Sequence, residues 1–81
     1  MDIDYFLPMA RGNFVYKRLG DRVIKERKLK SLSQEQLALL CGVDRTYIAR
    51  IEEGKANPSI RVLYKISRVL KTKIQQLVEG L

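Results

Sequence analysis

The stretch Ser33–Gly54 (SQEQLALLCGVDRTYIARIEEG) constrains the fold more than any other part of the chain. It reads as two short helices joined by a tight turn. Ser33 suits the N-cap of the first, and Gln36, three residues on, completes a capping box. Leu37, Ala38 and Cys41 then form one apolar stripe, and Gly42 supplies the left-handed residue that ends a helix. Asp44 is placed to cap the second helix and Gly54 to end it. Ile48 and Ile51 point inward. At about 100° per residue, Arg45, Thr46, Ala49 and Arg50 fall on the opposite face. That outward face is small, donor-rich and positively charged, which is what a DNA major groove can accept.

The flanking sequence predicts further helices. Val15, Leu19 and Val23 recur at four-residue spacing, so a first helix is expected from near Phe14 to about Lys30, with Gly20 a tolerated interruption. Pro8 and Arg11-Gly12-Asn13 are expected to break any longer helix. Beyond Gly54, the loop Lys55-Ala56-Asn57-Pro58 leads to Ser59, another N-cap. Ile60, Leu63, Ile66 and Leu70 follow as an inward stripe, with Ser67 a small inward residue. That helix should end near Lys71, and a last one, about Lys73 to Val78, contributes Ile74 and Leu77. The expected architecture is all-α, a compact bundle of about five short helices over residues 15–81 behind an N-terminal extension, residues 1–14. In that extension Ile3, Tyr5, Phe6, Leu7 and Met9 are too apolar for a plain disordered tail. It either folds back on the domain or lies in a partner.

The 81 residues make one domain, with no room for a separate effector or catalytic domain. The net charge of +7 is unevenly placed. Residues 1–10 hold Asp2 and Asp4 and no base, whereas Arg11 to Lys30 holds eight bases against Asp21 and Glu26. Such a balance favours an anionic partner, nucleic acid before membrane. With one cysteine and no histidine, no disulfide can form within the chain and nearly every metal or histidine-dependent site is removed. Cys41 reads as a small buried hydrophobe. Glu52 and Glu53 are adjacent and point in different directions on a helix, which cannot make an acid/base pair. No catalytic residue, metal or cofactor is therefore expected. No apolar run approaches a membrane span, and the start Met1-Asp2-Ile3-Asp4 lacks the basic region of a signal peptide, so the expected location is cytoplasmic.

The run SQEQLA…CGVDRTYIARIEEGKANPSI resembles the helix-turn-helix of the phage-repressor and Cro-like (Xre-type) regulators, whose fold is that of lambda repressor. Its DRTYI start is especially similar to the small controller proteins of restriction–modification systems. The likeness covers roughly Leu19 to Leu77. It implies a transcriptional regulator that binds duplex DNA as a homodimer on palindromic operators, with the recognition helix, residues 45–53, in the major groove. Arg45, Thr46 and Arg50 would read bases: an arginine fork suits guanine, and a threonine methyl suits thymine. Gln34, Tyr47, Lys55 and Asn57 match positions that touch the DNA backbone in relatives. Arg27 and Glu52 match a family ion pair.

Tyr64, Val78 and Leu81 are candidates for the dimer interface, and Ile24 and Leu39 are apolar where relatives are usually polar. Relatives usually carry glycine where Ser31 and Lys71 stand, so strain is expected at Ser31 and an uncertain helix boundary at Lys71. Two other readings keep the fold. One is the antitoxin of a toxin–antitoxin pair, with a toxin or other protein as partner of the N-terminal segment. The other is a protein-interaction adaptor without DNA contact, which would have no need of Arg45 and Arg50 on an outward face.

Overall fold

The structure, a computed structural model, describes residues 8–81, with side chains from Phe14 onward. Five helices follow one another: α1 (Pro8–Leu29), α2 (Gln34–Cys41), α3 (Arg45–Glu52), α4 (Ile60–Val69) and α5 (Ile74–Val78). No strand occurs among the described residues. The expected cluster of Ile3, Tyr5, Phe6 and Leu7 lies outside them.

The first helix begins at Pro8, six residues before the expected start near Phe14. Proline is tolerated in a first helical turn because its missing N–H would be unpaired there and its φ is already helical. Gly12 inside a helix costs only about 1 kcal/mol. Neither residue breaks the helix here.

The helices close on a core of Leu19 and Val23 from α1, Leu37, Ala38 and Cys41 from α2, Ile48 and Ile51 from α3, Leu63, Ile66 and Leu70 from α4, and Leu77 from α5. Fully burying such a side chain is worth about 1.5–3 kcal/mol. Ile60 departs from the expected inward stripe and is 71% exposed. It is the first residue of α4, and a helical side chain leans back over the turn before its own Cα, so Ile60 overhangs the loop rather than the core. Ser67 is buried, and its hydroxyl donates to the Tyr64 carbonyl at 2.8 Å.

Four helices end in the same way, with a left-handed residue and a crossed pair of backbone hydrogen bonds. At Gly42, φ is 70°, and the amides of Gly42 and Val43 reach back to Leu39 and Ala38. At Gly54, φ is 76°, and the amides of Gly54 and Lys55 reach Ile51 and Arg50. Ser31 and Lys71 play the same part with φ of 57° and 55°, the only non-glycine residues of positive φ among those described. The strain expected at Ser31 is thus present in its backbone, and Lys71 stands just past the end of α4.

The last helix is held against the first. Arg22 donates to the carbonyls of Leu77, at 3.2 Å, and Glu79, while Arg18 donates to that of Gly80 at 3.2 Å. These carbonyls lie beyond the hydrogen-bond ladder of α5, where guanidinium groups are favourable partners.

Candidate nucleic-acid interface

The site is built from α2, α3 and the loop that follows. At the start of α2, the Ser33 hydroxyl accepts from the Gln36 amide at 3.0 Å, and the Gln36 side chain accepts from the Ser33 amide at 2.8 Å, the expected capping box. At the start of α3, Asp44 has the extended backbone of an N-cap, but its side chain makes no capping hydrogen bond. The expected cap is therefore positional only. The first-turn amides of α3 keep capacity for an outside acceptor, where the helix dipole favours an anion.

Ile48, Ile51 and Glu52 form the buried face of α3. Glu52 is 3% exposed and receives three donors. The Arg27 guanidinium meets it with two parallel bonds, Nε to Oε2 at 2.6 Å and Nη2 to Oε1 at 2.9 Å. The Gln34 amide adds a third at 2.9 Å to Oε1. Arg27 gives its remaining nitrogen, Nη1, to the Leu32 carbonyl at 2.9 Å. The hydrogen bond to Glu52 raises the Arg27 pKa above its ordinary value, against the opposing effect of burial. One carboxylate thereby ties α1, the start of α2 and the end of α3 together.

The same seam explains Gly20, which by helix periodicity alone is only a tolerated interruption. A β-carbon at position 20 would stand 2.5 Å from the backbone oxygens of Ile51 and Glu52. At Gly54 it would stand 2.9 Å from the Lys17 Cα. Both glycines let α1 pass directly over the end of α3. Close passage of two helices is a tertiary demand, and only a glycine breaking a good helical stripe could have hinted at it.

On the other side of α3, Arg45, Thr46 and Arg50 are all exposed. The Arg50 Nη2 donates to the Lys55 carbonyl at 2.9 Å, so the turn at Gly54 steadies this side chain. Lys55 and Asn57 are exposed in the following loop. Tyr47 is half-buried and packs on the core, so its ring is a wall of the domain as well as part of its surface. Gln34 is half-buried, with one side-chain donor engaged by Glu52 and a second N–H in hand. Of the dimer candidates, Tyr64 is 56% exposed, whereas Val78 and Leu81 are partly covered by the chain's own core. Leu81 lies with Phe14, Val15 and Arg18 around a small cleft of about 160 Å³.

The comparisons with known proteins agree with this geometry. Residues 23–77 match the helix-turn-helix family model. The chain belongs to the helix-turn-helix family, Xre-like branch. An uncharacterised HTH-type transcriptional regulator of Archaeoglobus fulgidus is 46% identical over 55 residues, 67% of this chain and 78% of that protein. Control protein C.MunI of Mycoplasma sp is 42% identical over 66 residues, 80% of this chain and 89% of that one. The crystal structure of the restriction–modification controller protein C.AhdI from Aeromonas hydrophila superposes with a TM-score of 0.75 at 35% identity, covering 76% of this chain and 94% of that chain. Within this family the chain is a DNA-binding transcriptional regulator, and α2–α3 is its helix-turn-helix. These relatives are regulators rather than enzymes. No helix among the described residues is long and apolar enough to cross a membrane.

Proposed function

We propose that the chain is a homodimeric regulator of the controller type that reads a palindromic operator through the outward face of α3. The observation that carries this reading is the contrast across one helix. Ile48, Ile51 and Glu52 are 0–3% exposed and locked to the domain, while Arg45, Thr46 and Arg50 are exposed on the other side. Arg45 and Arg50 present guanidinium donors to guanine O6 and N7, and Thr46 presents a methyl to thymine. Each specific pair contributes ~1–3 kcal/mol of discrimination. Gln34, through its second amide N–H, Tyr47, Lys55 and Asn57 hold the phosphates on either side. Such contacts set register and supply salt-sensitive affinity with little sequence information.

A single domain of this size covers too little duplex for strong specificity, so two copies on a twofold operator complete the reading. Tyr64, Val78 and Leu81, joined by the exposed Phe14, are the apolar residues available for that association. Selection of bound sequences from random duplex DNA tests the proposal. Two copies of one short motif in inverted orientation, spaced by about one helical turn, are expected. Recovery of no common motif would overturn it. A single unpaired motif would remove the homodimer and leave the readout.

A further inference from the structure

Helices α2 and α4 border a shallow groove of about 290 Å³. Leu40, 60% exposed, and the half-buried Val69 give it apolar walls, and Leu39, 79% exposed, continues the apolar surface along α2. Lys65 and Arg68 line its α4 side. Arg61 lies on the same exposed face of α4, and the helix carries no acid along its length. DNA is a poor occupant, because a phosphate backbone offers nothing to cover two exposed leucines. An acidic segment with its own apolar side chains matches both features.

The chain carries one such segment. Residues 1–7 are Met-Asp-Ile-Asp-Tyr-Phe-Leu, with two carboxylates, no lysine or arginine, and four large apolar side chains after Met1. Their attachment point is the start of α1, a helix whose main packing partners are α3 and α5 rather than α2 or α4. Seven residues span at most about 25 Å when fully extended. Three or four residues placed in the groove would leave only about 10–14 Å of chain to reach it from the start of α1. We infer that the α2–α4 groove receives residues 1–7 of a second copy of the chain, with Asp2 and Asp4 against Lys65 and Arg68 and the apolar side chains over Leu39, Leu40 and Val69. This rests on the homodimer proposed above and adds a contact to it. It leaves the outward face of α3 open, and it places the acidic residues away from DNA phosphates.

Charge exchange in the full-length protein, without DNA, tests the contact. One variant carries Asp2→Lys with Asp4→Lys, a second Lys65→Glu with Arg68→Glu, and a third carries all four changes. Far-UV circular dichroism confirms that each is folded. By sedimentation, each of the first two should dimerise roughly tenfold more weakly than wild type, and the third should recover. Losses that multiply in the third variant, or no loss in the first two, would overturn the contact, and a persisting dimer would still leave the homodimer itself standing. A photo-reactive residue in place of Leu40, in a mixture of light and heavy-isotope chains, gives a second readout. Cross-links to residues 1–7 joining a light to a heavy chain are expected, and cross-links confined to one chain would overturn the exchange between copies. Leu40→Ser, which leaves every charge in place, should weaken the dimer without altering the half-site sequence selected from random DNA.

Discussion

Glycine is treated in opposite ways at the α1–α3 seam and at the exposed helix ends of Ser31 and Lys71. At the seam Gly20 and Gly54 are required by space, since added β-carbons would lie 2.5–2.9 Å from neighbouring backbone atoms. At Ser31 and Lys71 the backbone takes the conformation that favours glycine, yet both residues carry side chains and both are exposed. The seam sets the angle at which α3 lies on the domain, so one extra atom there would move the outward face of α3. The exposed ends only close a helix, and a strained residue costs about 1–2 kcal/mol without moving anything else. Orientation is controlled tightly where it bears on the interface and loosely where it does not.

The largest effect expected from this contrast lies in the ion pair. Glu52→Ala leaves the Arg27 guanidinium poorly solvated without its partner and should cost ~3–5 kcal/mol. The double variant Arg27→Met with Glu52→Leu should cost less than the sum of its single changes. A double-mutant cycle in urea checks this, and zero coupling would mean that the seam does not tie α1 to α3 energetically.

Gly20→Ala comes next. In an exposed helix the change would stabilise by ~1 kcal/mol. Against the Ile51 and Glu52 carbonyls it should instead destabilise by ~1–3 kcal/mol and weaken operator binding beyond what unfolding accounts for. A rise in Tm would break the comparison.

Ser31→Gly and Lys71→Gly should each raise stability, by less than ~1 kcal/mol once the freer unfolded chain is counted, with operator affinity unchanged. Thermal melts with parallel binding isotherms measure both quantities.

The smallest effect concerns Cys41, whose thiol is pushed up in pKa by burial and pulled back in part by Lys65. The folded state then holds its proton more firmly than the unfolded one. The stability it contributes is full below the ordinary thiol range and falls as pH rises through it. Cys41→Ala should flatten that part of the decline in a pH series of melts.

The α2–α3 unit was largely legible in the sequence because its signals are local. Ser33 with Gln36, Gly42 and Gly54 act through hydrogen bonds only a few residues apart, and Ile48 and Ile51 declare an inward face by spacing alone. Local signals misled at Pro8, where a residue that stops a helix in its interior instead starts one. They misled again at Asp44, where the cap position is filled but the carboxylate makes no bond. Gly20, the Gln34–Glu52 hydrogen bond and the hold of Arg18 and Arg22 on the last carbonyls bring together residues 18–62 positions apart. No local pattern marks such meetings. The outward direction of Arg45 and Arg50 followed from helix period, whereas the tether of Arg50 to the Lys55 carbonyl depends on how the turn at Gly54 folds back.

The central claim is that the outward face of α3 reads sequence while its neighbours only hold phosphates. The direct measurement compares Arg50→Ala and Lys55→Ala with the wild type, each titrated against its selected operator and against unrelated duplex DNA over a range of salt. Arg50→Ala should lose ~1–3 kcal/mol of discrimination at fixed salt while keeping weak, salt-sensitive binding to any duplex. Lys55→Ala should weaken both DNAs about equally and lower the salt slope by about one. An Arg50→Ala protein with full discrimination would contradict the orientation assigned to α3.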